Sequence, residues 1–302
     1  MEKNSALSGL VIVNKGEGIT SQGVVNRIKR IYGVAKAGHT GTLDPMATGV
    51  LPVLIGRGVK ASEFMLTSEK HYGATLLLGK TSDTEDVTGN ILSECEVNLS
   101  ESEVITTIDS FIGEIWQTPP MYSALKVGGK KLCDMARRGE MVEREPRPVT
   151  VYSISAKRIT DCEYYLDVVC SKGTYIRTLC ADIGRALGVG GVMKTLVRLS
   201  ASGYTLGEAH TLEQLEKMDD VAREALVLPV EDVFRKYEEI RLPDFFARLA
   251  HSGQEIYLSK IKKQLKVNDV VRLYDSCGFF AVGEVREFDD GLAIKPIRQF
   301  RD

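Results

Sequence analysis

No Cys-x-x-Cys pair occurs in this chain of 302 residues, and its six cysteines, Cys95, Cys133, Cys162, Cys170, Cys180 and Cys277, are scattered. The four histidines show no ligand spacing beside them. Neither a zinc site nor a disulfide framework is indicated, and most of the cysteines are expected as small buried hydrophobes. No apolar stretch approaches the roughly 18 residues that span a bilayer, and Met1 to Leu10 lacks a continuous apolar signal region. A cytoplasmic protein with no membrane contact is therefore expected. There is no fixed-period repeat, no low-complexity tract and no strict βαβ rhythm. The last absence argues against a doubly wound parallel sheet.

What remains is an ordinary globular composition, 43% apolar and 26% charged, enough to bury a full core in one large domain or two smaller ones. The net charge of −2 hides an uneven distribution. From Met121 to Thr160 nine Lys or Arg stand against four acids, while from Glu213 to Phe245 ten acids stand against five bases. A local excess of +5 on a near-neutral chain is the footprint of phosphate contacts, or else a solvated surface of mixed charge.

Periodicity places the elements. Leu10 to Val13 reads as a strand, and Thr20-Ser21 caps a helix through Ile31 with Val24, Val25 and Ile28 on one face. Val50 to Ile55 and Tyr72 to Leu78 read as strands, and Ser100 to Glu103 resembles a capping box opening a helix to Phe111. Val149 to Ser155 and Tyr164 to Val169 read as paired strands, followed by a helix over Tyr175 to Leu187. Two short helical patterns lie within Glu213 to Phe234. Beyond about residue 240 the chain turns strand-rich, with Val270 to Tyr274, Phe279 to Val285 and Leu292 to Ile297 separated by turns. The fold class predicted is α+β with a largely antiparallel central sheet, flanking helices and a small β-rich C-terminal domain. The boundary is expected near residue 238, so that 1–238 form the larger domain and 239–302 the smaller.

One loop stands apart. In Gly38-His39-Thr40-Gly41-Thr42-Leu43-Asp44-Pro45-Met46-Ala47-Thr48-Gly49-Val50-Leu51-Pro52, a single acid lies within a glycine-punctuated segment that runs into an apolar strand. Glycines permit positive φ, Pro45 fixes its own φ, and the X-Pro pair biases Asp44 toward extended geometry. Such a segment holds a side chain in one orientation. An Asp-Pro loop is also an ordinary seat for an Asx-turn.

The order Gly-His-Thr-Gly-Thr-Leu-Asp-Pro-x-Ala-x-Gly-Val-Leu-Pro resembles the active-site motif of the tRNA pseudouridine synthases of the TruB family. Further blocks follow in the family's order: Lys15 to Ser21, Lys70-His71-Tyr72-Gly73, Thr81 to Gly89, Pro120 to Lys126, and Ser171 to Leu179. The resemblance covers about residues 9 to 210. One departure is Gly16, where the family usually carries proline, which loosens the turn after Lys15.

The resemblance implies an enzyme that isomerises uridine 55 in the T-loop of tRNA, without a cofactor or metal. It implies Asp44 as nucleophile, Arg177 as its cationic partner, and Tyr72 as the tyrosine that stacks on a flipped uracil. Tyr175 matches a second pocket tyrosine, Leu199 the apolar wall, Asp86 a supporting acid, and Lys15 a residue of the first block. His39 matches the histidine that fills the stack the target base vacates. The insertion Met121 to Pro148 suits an element that orders on RNA, with Lys126, Lys130, Lys131, Arg137 and Arg138 on backbone phosphates. The last 60 or so residues resemble the small β domain that follows the catalytic domain, often of the PUA type. A monomer with tRNA as partner and no obligatory protein partner is expected. Two other readings stay open: a tRNA-binding folding chaperone, and the catalytic subunit of an RNA-guided pseudouridylation complex.

Overall fold

A computed structural model describes residues 7–65, 69–123 and 125–301, apart from the side chains of Lys126 and Lys131. Strand β1 (Gly9–Lys15) is an apolar run buried almost throughout. Thr20 caps α1 (Ser21–Ile31) by accepting from Gly23 N at 2.9 Å, and Val24, Val25 and Ile28 form its buried face, as the sequence predicts. Strand β2 (Ala37–His39) leads through the Asp44 loop into β3 (Thr48–Ile55), then α2 (Ser62–Met65) and β4 (Lys70–Leu78). A side hairpin, β5 (Lys80–Ser82) with β6 (Ile91–Glu94), precedes α3 (Glu101–Asp109), whose Ser100–Glu103 capping box is present. Strand β7 (Gly113–Gln117), the two-residue strands β8 (Lys126–Val127) and β9 (Lys130–Lys131), and α4 (Leu132–Ala136) follow. Next come β10 (Arg147–Arg158), β11 (Glu163–Cys170), α5 (Ile176–Ala186), β12 (Gly191–Ala201), β13 (Tyr204–Thr205), α6 (Leu212–Lys217) and α7 (Asp220–Glu224). The chain closes with β14 (Glu238–Arg241), α8 (Asp244–His251), β15 (Ile256–Tyr257), α9 (Leu258–Ile261), β16 (Val270–Asp275), β17 (Gly278–Phe288) and β18 (Gly291–Gln299).

The main sheet runs β1-β3-β12-β4-β11-β10-β7, with β2 on β3 and β13 on β12. Every pairing is antiparallel except β3 with β12, so the fold is α+β with the largely antiparallel sheet expected. Along β4 and β11, Ala74, Leu76, Tyr164, Leu166 and Val168 form one apolar face that α3 and α5 cover with Val104, Ile108, Leu179 and Ile183. The opposite face carries polar pairs, His71 with Asp167 at 2.8 Å and Thr195 with Thr75 at 2.8 Å. That division is the one-sided burial usual in antiparallel sheets.

Strand β12 was not expected. Bulges between Met193 and Thr195 and between Arg198 and Ser200 break its two-residue alternation, which hides it from a periodicity reading. The second sheet, β14-β16-β17-β18-β15, contains the three strands foreseen, but α8 was not foreseen. Its apolar face, with Ala247 and Ala250, packs over Leu273, Phe280, Val285 and Ile294. Phe234 joins the two sheets: its ring lies 5.0 Å from Phe64, 5.9 Å from Phe279 and 5.4 Å from Phe300.

Candidate active site

The loop between β2 and β3 is fixed from three sides. From β1, Lys15 Nζ donates to Gly16 O at 2.9 Å, to Pro45 O at 3.1 Å and to Ala47 O. From α1, Ser21 Oγ donates to Leu43 O at 2.9 Å and accepts from Leu43 N at 2.8 Å. From β12, Arg198 donates to Gly41 O at 3.1 Å, Thr42 O at 3.5 Å and Val50 O at 2.7 Å. These bonds give the loop's carbonyls protein donors and so hold its backbone in place. Burial lowers the Lys15 ammonium to about 8, against the pull of the Asp44 charge.

Asp44 meets Arg177, the second residue of α5, in a two-point contact: Nε to Oδ2 at 3.0 Å and Nη2 to Oδ1 at 3.4 Å. The guanidinium is buried and its other N–H groups are used, donating to Thr84 O at 3.0 Å and Tyr122 O at 2.8 Å. Five fixed donors on a plane suit this fork. Asp86 stands behind it, with Oδ2 3.7 Å from Arg177 Nη1. Its other oxygen accepts from Thr84 Oγ1 at 2.8 Å, Thr88 N at 2.9 Å and Thr88 Oγ1 at 2.6 Å. Asp86 therefore both closes a turn and supplies a second anion to Arg177.

Two opposing effects set the Asp44 carboxyl. Burial raises its pKa, and Arg177 pulls it down; burial wins. The outcome is a carboxylate held ready by a cation but more basic than a solvated one. A carboxylate in this state is chemically competent as a nucleophile or as a general base.

Asp44, Tyr72, Tyr175 and Arg177 line one cavity of about 250 Å³. Tyr72 sits on β4 opposite Arg198, and burial pushes its phenol up while Arg198 opposes the shift. Tyr175 is the residue before α5; Gln117 donates to its carbonyl at 3.2 Å and accepts from its N–H at 3.0 Å. Gln117, Arg198 and Leu196, which lines the cavity, were missed by the sequence reading. Leu199 does not line it: it is the extra residue of the second β12 bulge, and Leu196 stands where the apolar wall was expected. Lys15 is fully buried beneath the loop rather than in the cavity. His39 ends β2, half-buried and five residues before Asp44, outside the lining.

The insertion reaches the cavity wall through Tyr122 and Ser123, while none of its described basic residues lines the cavity. Strands β8 and β9 close through Gly128 and Gly129 at φ of 57° and 81°. Lys130 is exposed, Arg137 lies 3.5 Å from Asp134, and Arg138 bonds Glu140 at 2.6 Å. Exposed pairs of this kind exchange at little cost for a phosphate. The side chains of Lys126 and Lys131 fall outside the described set. Among the described residues no group of three His, Cys, Asp or Glu is placed to hold a metal.

Known proteins share this arrangement over nearly the whole chain. The model of the TruB family pseudouridylate synthase N-terminal domain matches residues 29–176, and that of the tRNA pseudouridylate synthase B C-terminal domain matches 177–235. The chain is 39% identical over 279 residues to tRNA pseudouridine synthase B of Clostridium tetani, covering 92% of this chain and 96% of that protein. It is 40% identical over 279 residues to the protein of that name from Methylobacillus flagellatus, covering 92% and 91%. A chain in the crystal structure of a Cbf5-Nop10-Gar1 complex superposes with a TM-score of 0.72 at 25% identity, covering 97% of this chain and 84% of that one. With two adjoining family models matched across the Asp44 loop, the Arg177 helix and β12, and with relatives this similar along its length, the chain belongs to the TruB family of pseudouridylate synthases.

Proposed function

We propose that this chain is a tRNA pseudouridine synthase that converts uridine 55 of the T-loop, with Asp44 as nucleophile on a flipped-out nucleotide. The observation that carries it is the buried Arg177 fork on Asp44 at the wall of a cavity lined by three tyrosines, Tyr72, Tyr122 and Tyr175. The relatives that match at about 40% identity over most of the chain bear the name of the tRNA enzyme, whereas the chain from the Cbf5-Nop10-Gar1 complex matches at 25%. That difference favours the tRNA enzyme over the guided-complex reading.

The reaction breaks the C1′–N1 bond, turns the uracil while it stays bound, and makes a C1′–C5 bond. The C5 proton leaves and N1 takes one up, so no redox partner enters. Asp44 supplies the nucleophile, and Arg177 holds its oxygens in register. Tyr72 stacks on the uracil, and its hydroxyl assists loss of the C5 proton. Tyr175 and Leu196 wall the pocket, and Asp86 steadies Arg177. Extruding the base costs roughly a few kcal/mol, which His39 offsets by filling the vacated stack. Lys126, Lys130, Lys131, Arg137 and Arg138 grip phosphates, so loop shape rather than sequence is read. The enzyme works as a monomer without an obligatory protein partner.

Mapping pseudouridine in an unmodified tRNA transcript treated with the protein tests the position. A single new pseudouridine at 55, lost when that uridine is replaced by cytidine, is expected. Modification elsewhere in the transcript overturns the assignment.

A further inference from the structure

The cavity holds more positive charge than a uracil needs. Asp44 is the one carboxylate among its described lining residues, yet Lys70, Lys172, Arg177 and Arg198 all line it. Arg177 is matched by Asp44 and, from behind, by Asp86. Uracil is neutral, so the base itself offers no counter-charge to these cations. The anionic part of a nucleotide is its phosphodiester.

Topology puts these cations at one end of the sheet. Lys70 opens β4, paired with Cys170 at the end of β11 and with Ala201 at the end of β12. Lys172 follows two residues after Cys170, in the turn that Gly173 makes at φ of 82°. Gly41 lies between the other two: a Cβ there would stand 3.5 Å from Arg198 Nη1 and 3.9 Å from Lys70 Cε. Having no side chain, it leaves the space beside them open, three residues before Asp44. Arg198 is committed to main-chain carbonyls and contributes charge. Lys70 is half-buried and Lys172 exposed, and both line the cavity. Burial, then Arg198, lowers the Lys70 ammonium to about 8, a shift that a bound anion would reverse.

We infer that Lys70 and Lys172, backed by the charge of Arg198, form a phosphate subsite at the cavity mouth that holds the backbone of the flipped nucleotide. This rests on the proposed RNA reaction and adds to it two residues that anchor the sugar-phosphate while the uracil turns. Anchoring is needed at that step because the base is then detached from the sugar.

The test pairs protein and substrate changes. T-arm stem-loops carrying an uncharged methylphosphonate on the 5′ or the 3′ side of the target uridine are compared with the unmodified RNA. Wild type, Lys172→Ala and Lys70→Met are used, and both kcat/KM and Kd are read. With wild type, one of the two substitutions is expected to lower kcat/KM about tenfold, the scale of one charge-assisted bond. Each variant is expected to lose a similar factor on unmodified RNA, with a smaller salt slope, and to lose little more on that methylphosphonate. Losses that multiply at both positions, or methylphosphonates without effect on wild type, overturn the subsite. Lys172 is exposed in a turn, so its variant keeps the test open if Lys70→Met does not fold. Absence of turnover of the unmodified RNA by wild type overturns the reaction instead, and the same cycle in Kd still reads the subsite.

Discussion

At the scale of single residues, the contact between Asp44 and Arg177, proposed to carry the chemistry, makes two predictions. Because burial raises the Asp44 carboxyl above its ordinary value while the proposed reaction needs it ionised, kcat/KM should fall on acidification at a higher pH than ionisation of a solvated aspartate would give. The folded state then holds this proton more tightly than the unfolded chain, so ionising Asp44 opposes stability and acidification relieves that cost. A pH-rate profile of the free enzyme checks the limb. Arg177→Lys keeps the charge but loses the two-point contact and leaves carbonyls of Thr84 and Tyr122 without their donors. It should lower kcat by roughly 100-fold or more, with the acid limb moved further up. An unchanged rate would detach Arg177 from Asp44. Much at this scale was legible in the sequence, because Asp44, Tyr72, Tyr175 and Arg177 fall in contiguous motifs and converge on one cavity. Arg198, Leu196 and Gln117 were not legible. Their roles depend on contacts with residues 58 to 157 positions away, or on a bulge that turns Leu199 aside.

At the scale of elements, close packing of β3 on β12 positions the loop. Gly49 has φ of 105°, and a Cβ there would lie 2.3 Å from Arg198 O and 2.7 Å from Arg198 N. Neither the backbone of β12 nor this φ admits a side chain. Gly49→Ala should therefore destabilise the fold by several kcal/mol, on the order of a strained or overpacked core site, with the Asp44 loop displaced. Chemical denaturation measures it; a loss under about 0.5 kcal/mol, the range of surface changes, would mean that the strands can part without consequence. The helices announced themselves through caps at Thr20 and Ser100, and the apolar strands through their runs. Strand β12 escaped because its two bulges shift its side chains out of alternation. Helix α8 escaped because it is eight residues long and begins behind Pro243, which read as punctuation.

At the scale of the whole molecule, the second sheet is tied to the first through Phe234, fully buried between Phe64, Phe279 and Phe300. We propose that residues 239–302 form a β-rich unit that supports the catalytic part through this contact. Phe234→Ala should cost about 3–5 kcal/mol, the scale of a large aromatic removed from a core. A single unfolding transition moved downward would fit this coupling, whereas a shift confined to one of two transitions would show the sheets to be independent. The mixed, mostly antiparallel layout was legible from strand spacing, but the order in which β12 inserts between β3 and β4 was not. That order brings Arg198 and Leu196 beside the Asp44 loop.

The most direct measurement is release of tritium from an unmodified tRNA transcript labelled at uracil C5, with purified wild type and Asp44→Asn side by side. Release by the wild type and none above background by Asp44→Asn, with tRNA binding retained, is the predicted result. Equal release by both would contradict Asp44 as the nucleophile, and no release by either would contradict the reaction itself.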